Sequence, residues 1–278
     1  MSPRSCRPGH TYLAGAPLFV AHRGGSKVAP ENTMEAFRQA VRVWEVDMLE
    51  MDVRLTSDGE VVVIHDATVD RTTDGTGTVA SRSMRELLEL DAGARFRDAH
   101  GAPVFQGRGV RVPRFEDVLV AFPDVRMNVE AKERQAAVPL VEIIRRHGAE
   151  SRVLVAAEFE KARADVRGYP GPWGASRHHV ALFWLLHRLP GGGFYTPGAD
   201  ILQVPETWKG RRIVSPRFIR EAHARNIPVQ VWTVDDAEDM RRLLAWGIDG
   251  IQTDRPDVLA RVMVEELGRP APPGLRAP

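Results

Sequence analysis

The sequence predicts an α/β protein, a (β/α)8 TIM barrel with a small inserted subdomain after the second barrel strand and its hairpin. Three observations lead there. Short β-branched runs alternate with helical patterns through most of the chain, as parallel βα units require. Eight such runs can be counted. The length of 278 residues also suits one barrel plus a modest excursion.

The eight expected strands are residues 18–22, 46–52, 125–131, 152–157, 180–184, 200–204, 229–233 and 250–253. After the first, Asn32 with Glu35 three residues later reads as a capping box, followed at helical spacing by Phe37, Ala40, Val41 and Trp44. Ser215 before Pro216 marks a helix start, and Asp235 opens a segment that Gly247 stops. A ninth strand-like run, 60–65, follows Asp52 too closely for a parallel crossover. With Asp58-Gly59 as a two-residue turn, this run returns antiparallel and sets His65 directly opposite Asp52. Between about 66 and 112 the rhythm lapses, and glycine-containing runs mark the expected insertion over the barrel mouth. The expected domain is a single one over 15–267, with a disordered proline-rich tail over 268–278.

Thirty-eight basic residues against 37 acidic ones leave a net charge of +1, so overall charge gives no reason to expect a nucleic-acid partner. A local basic patch remains compatible with that balance. Cys6 is the one cysteine, which excludes an internal disulfide, and no run of about 18 apolar residues predicts a spanning helix. Without a signal-like N-terminus, the expectation is a cytoplasmic protein with no stable membrane insertion but room for transient membrane contact. Arginine dominates the basic residues: only Lys27, Lys132, Lys161 and Lys209 are lysines.

Barrel strands present their C-terminal residues to the active-site face. His22 and Arg23 end the first strand, Glu50 and Asp52 the second, Glu130 and Lys132 the third, and Trp232 the seventh. The period-two spacing within Glu50-x-Asp52 and Glu130-x-Lys132 points both members of each pair the same way. Three acids, two histidines, an arginine and a lysine crowded at one mouth are usually compensated by a cation or an anionic ligand. Carboxylates alone favour a hard ion, Mg²⁺ or Ca²⁺, over zinc. Arg23 and Lys132 then suit an anionic phosphate, and His22 and His65 are the groups able to exchange protons near neutral pH.

These residues carry a family resemblance. His22-Arg23-Gly24-Gly25, Pro30-Glu31-Asn32-Thr33, Glu50-Met51-Asp52, Asp58-Gly59, His65-Asp66, Arg71-Thr72-Thr73, Glu130-Ala131-Lys132, Val231-Trp232-Thr233-Val234 and the run from Gly247 to Pro256 resemble, in order, the motifs of the glycerophosphodiester phosphodiesterases. The resemblance implies divalent-metal-dependent cleavage of substrates such as glycerophosphocholine or glycerophosphoethanolamine to glycerol 3-phosphate and an alcohol. It implies Glu50, Asp52 and Glu130 as metal ligands, His22 and His65 as acid and base, and Arg23 and Lys132 as phosphate contacts. Trp232 and Glu31 join the expected substrate-binding set. The route it implies runs through a cyclic phosphate formed by the neighbouring glycerol hydroxyl, which water then opens.

The chain departs from the family pattern in two places. Many members carry a Ser-Phe pair after the fifth strand, where this chain has Ala156-Ala157-Glu158-Phe159. The segment from Val180 to Tyr195 is apolar and then glycine-rich, either a strand with a short packed helix or an apolar wall suited to a lipid-bearing substrate. Lysophospholipase D-type hydrolysis is therefore an alternative activity. A non-catalytic phosphodiester-binding barrel is the alternative from another class, opposed by the presence of both histidines and all three carboxylates.

Overall fold

A computed structural model describes residues 11–157, 160–166, 168–189 and 195–276. β1 (Leu18–Ala21) is buried along its whole length, as a strand covered by helices outside and a packed interior within must be. In β2 (Met48–Leu55) alternation divides the two sides. Leu49, Met51 and Val53 join the outer core with Phe37 of α1 (Met34–Arg42) and Phe115 of α3 (Phe115–Ala121). Met48 faces inward with Tyr12, Leu13, Leu18, Val20, Leu154 and Ile201. Tyr12 is 1% exposed, and its hydroxyl donates to Met127 O at 2.9 Å. The segment before β1 is thus tied into the inner cluster, while Glu50 and Asp52 continue the inward row toward the strand's C-terminal end.

Parallel pairing runs through β5 (Val153–Ala157), β4 (Arg126–Ala131), β2, β1, β10 (Gly250–Thr253), β9 (Val229–Trp232) and β6 (Leu202–Pro205). The ring closes through two parallel bridges, Val155 with Trp173 and Gly174 with Ile201. Around it lie α4 (Ala137–Arg146), α5 (Glu160–Asp165), α6 (Arg177–Leu186), α7 (Pro216–Ala224), α8 (Ala237–Ala245) and α9 (Pro256–Leu267). Phe37 is fully buried under this outer layer. Phe37→Ala is expected to cost about 3–5 kcal/mol, as the lost transfer energy and residual cavity add; urea unfolding followed by circular dichroism measures it.

The expected strand over 180–184 is instead part of helix α6. A continuous apolar run has no period of its own, so local pattern alone does not separate a buried strand from a helix. The strand position it was expected to fill belongs to Trp173 and Gly174, hidden in a Pro- and Gly-rich stretch that reads as loop.

The hairpin also differs by one residue. β3 (Val61–Val63) pairs with β2 as Val53 with Val63 and Leu55 with Val61. Thr56 N donates to Glu60 O, enclosing a three-residue loop with Gly59 at φ +82°, the left-handed position that such loops place last. Ile64, not His65, therefore lies opposite Asp52, its N–H donating to Asp52 O at 2.9 Å. The Asp58 side chain, in the middle of the loop, accepts from Thr56 Oγ1 and from the N–H of Met84, the first residue of α2 (Met84–Glu89).

The chain between the hairpin and α3 has its own small core: Val69, Val79, Met84, Leu87, Ala92, Val110 and Val112 pack with Val62 and Ile64 of the hairpin. Two helix starts shift by one residue. Thr33, not Asn32, caps α1, accepting from Ala36 N, and Asp236, not Asp235, caps α8. In both cases the expected cap is engaged elsewhere by tertiary contacts. Ser215 caps α7 as expected.

The C-terminal stretch is docked rather than disordered through Arg276. Arg269 pairs with Asp47 at 2.7 Å and donates to Pro17 O, while Gly274 N donates to Val43 O and packs its backbone on the Trp44 ring. Burial against the barrel and backbone pairing offset the ordering entropy that composition alone leaves unopposed. Ala277 and Pro278 lie outside the described residues, as do Cys6, Glu158, Phe159 and Gly191 to Gly193. No described helix is long and apolar enough to cross a membrane.

Candidate active site

The first strand ends in a tight turn, His22–Gly24, with Arg23 in the left-handed region at φ 52°. Gly24 follows at φ +82°, where a Cβ would lie 2.7 Å from the Cβ of Ala36. Only glycine lets the turn pack this closely on α1. The turn aims the Arg23 N–H at Glu50, with N to Oε2 at 2.9 Å.

Glu50 and Asp52 are 4% and 1% exposed, and one oxygen from each of Glu50, Asp52 and Glu130 lies within 4.8 Å of the others. The β2–β4 register accounts for this, because Asp52 sits beside Glu130 and Glu50 one period earlier. Two cations answer the charge. Lys132 Nζ is 2.9 Å from Asp52 and 2.7 Å from Glu130, and Arg23 Nε is 3.1 Å from Asp52. Asn32, freed from capping and at φ 57°, donates its amide to Asp52 at 3.0 Å.

Burial and the neighbouring Asp52 charge push the Glu50 carboxyl up. Burial acts in the same sense on Asp52, but Lys132, then Arg23 and His65, outweigh it and hold that carboxyl down. Ionising Glu50 beside Asp52 therefore calls for a further positive charge, as expected of carboxylates arranged to receive a cation. An all-oxygen set fits a hard divalent ion.

Both histidines are held by a carboxylate on the same ring atom. His22 Nδ1 lies 2.7 Å from Asp254 Oδ1, and His65 Nδ1 2.6 Å from Asp66 Oδ1. A carboxylate there selects the Nδ1–H form and leaves Nε2 for exchange. His22 Nε2 lies 3.8 Å from Glu50. Burial works against charging His22, yet Glu50 and then Asp254 dominate and raise its affinity for a proton. His65 lies in the bend after the hairpin, its carbonyl accepting from Arg54 Nε at 2.9 Å.

Glu31 accepts both amino groups of Arg71, at 2.7 and 2.8 Å, as well as Arg23 at 3.1 Å. Arg71 also holds Asp66 at 2.5 Å. Arg71 and Asp66 thus join His65 to Glu31, and through it to Arg23. Trp232, at the C-terminal end of β9 and 41% exposed, lines a cleft of about 590 Å³ with Pro205, Glu206, Arg212 and Arg242. The structure thus brings His22, Arg23, Glu31, Glu50, Asp52, His65, Glu130 and Lys132 into one constellation. Asp254, Asp66, Arg71 and Asn32 complete it; all four lay in the sequence motifs, Asn32 read as a helix cap and the other three without a role, because spacing does not reveal which carboxylate meets which imidazole.

Comparison with known proteins accords with this geometry. The model of the glycerophosphoryl diester phosphodiesterase family matches residues 22–166 and 195–258, spanning both histidines, all three clustered carboxylates and Asp254. The chain belongs to the glycerophosphoryl diester phosphodiesterase family. It is 32% identical over 267 residues to the glycerophosphodiester phosphodiesterase of Caldanaerobacter subterraneus subsp. tengcongensis, covering 88% of this chain and 97% of that one. Among solved structures, the glycerophosphoryl diester phosphodiesterase domain of an uncharacterized Mycobacterium tuberculosis protein superposes with TM-score 0.79 at 22% identity, over 90% of this chain and 100% of that one. An Oleispira antarctica phosphodiesterase, solved with the product sn-glycerol-3-phosphate, gives TM-score 0.72 at 23% identity, over 89% and 97%. These two share the barrel fold. The chain is a phosphoric diester hydrolase of this family.

Proposed function

We propose that this phosphodiesterase hydrolyses glycerophosphodiesters such as glycerophosphocholine or glycerophosphoethanolamine to glycerol 3-phosphate and the alcohol, by proton transfer through His22 and His65. The supporting observation is the pair of imidazoles, each held at Nδ1 by a carboxylate and both set beside one three-carboxylate cluster. Glu50, Asp52 and Glu130 would hold one divalent cation, Mg²⁺ or Ca²⁺, whose charge would offset that of the phosphoryl oxygens. Arg23 and Lys132, already between the acids, supply cationic N–H groups to the same phosphate. One imidazole takes the proton of the attacking glycerol hydroxyl and the other gives one to the departing alcohol oxygen; water then opens the resulting cyclic phosphate with the two roles reversed, giving glycerol 3-phosphate. Glu31, saturated by Arg23 and Arg71, orients the guanidinium that meets the phosphate. The Oleispira enzyme's product complex supports glycerol 3-phosphate as the product retained.

Lysophospholipids are a second substrate class for the same cluster, since they present the same phosphodiester to it. A panel of glycerophosphodiesters and lysophospholipids, assayed with each metal and with products identified by phosphorus NMR, separates the two. Release of glycerol 3-phosphate supports the first reading, and lysophosphatidic acid the second. Asp254→Asn is expected to lower kcat at least about tenfold with little change in KM and to shift the pH–rate profile, because His22 loses the partner that selects its tautomer. An unchanged profile would remove Asp254 from the proton-transfer scheme.

A further inference from the structure

The near-zero net charge conceals a local excess. Residues 175–220 carry seven lysines and arginines against two acids, Asp200 and Glu206. Asp200 is 5% exposed, and Glu206 is taken by Arg242 at 2.9 Å. Arg188, Lys209, Arg211, Arg212 and Arg217 form no ion pair with a described carboxylate.

These cations surround exposed apolar groups. On α6 and the turn after it, Ala181, Leu185 and Leu189 recur at four-residue spacing, so they form one outward stripe, with Leu185 58% and Leu189 49% exposed. Beside α6 stands a two-stranded hairpin, β7 (Thr207–Trp208) with β8 (Arg211–Arg212), whose Trp208 is 37% exposed. The two pieces are joined: Trp184 Nε1 donates to Arg212 O at 3.2 Å, the Arg177 guanidinium sits 4.7 Å from the Trp208 ring, and Arg188 lies 3.9 Å from the Trp184 ring. Arg212 also lines the cleft containing Trp232, so the face borders the barrel's C-terminal rim.

We infer that α6 and the β7–β8 hairpin form a docking surface for an anionic lipid bilayer. Leucines and a tryptophan at the tip enter the headgroup boundary, and the unneutralised cations meet lipid phosphates. Charge complementarity selects this occupant. A second copy of the chain would bring the same cations against one another.

The test is cosedimentation of the full chain with vesicles of phosphatidylcholine alone or mixed with phosphatidylglycerol, at low and high salt. Retention on the anionic vesicles, weakened by salt, is expected. L185S/L189S and R188E/R211E should each weaken it at least about tenfold, while turnover of soluble glycerophosphocholine and the melting temperature stay at wild-type values. The inference fails if the wild type does not bind anionic vesicles, binds neutral ones equally, or if both variants bind as it does. It also fails if light scattering shows a dimer that L185S/L189S dissociates, since the face would then be a subunit interface.

Discussion

His22→Ala is expected to lower kcat by about 10²–10⁴-fold, and His65→Ala to do the same, with the fold retained in both. The range corresponds to about 3–5 kcal/mol of transition-state stabilisation, what a positioned acid or base contributes when water must replace it. Each ring projects from a loop after a strand, not from the outer core, so its removal opens no cavity beneath the helices. Thermal melts of the variants should overlay the wild type. The double variant is expected to lose less than the product of the two single effects, because the imidazoles act in one displacement. Full activity of either single variant would exclude that ring from the chemistry.

Exhaustive chelation is expected to reduce turnover to background, with recovery on adding Mg²⁺ or Ca²⁺. Asp52 is neutralised by Lys132 and Arg23, but Glu50, buried and pushed up by Asp52, depends on a further positive charge to stay ionised. Glu50→Gln should therefore raise the metal concentration needed for half-maximal activity, since the ion loses a charged ligand. Calorimetric titration of the metal reads this without turnover. Activity that survives chelation would leave the carboxylate cluster without its assigned role.

Much of this site can be read from residue spacing. Glu50-x-Asp52 and Glu130-x-Lys132 project to one side because a strand has period two, and the β2–β4 pairing then brings the two rows together. His65 shows the limit of such reading. Its proximity to Asp52 follows from the bend after Ile64, not from the hairpin register inferred from Asp58-Gly59. A three-residue loop and a two-residue loop share the same Asp-Gly signal, and in the three-residue loop seen here Asp58 accepts from the Met84 N–H of the insertion.

The sequence by itself determined the alternating βα order, the single barrel, and the identity of the acids, cations and histidines gathered at its mouth. Those properties depend on periodicity and side-chain chemistry, which are local. Tertiary structure alone decided that 180–184 is helical and that Trp173 and Gly174 close the ring. It also decided that Thr33 caps α1 while Asn32 turns to Asp52, and that Asp254, 232 residues from His22, holds its ring. Each is a competition between a local preference and a partner distant in the chain. The distant partner prevails where burial makes an unpaired polar group, or an uncovered apolar one, more costly than a weakened local preference.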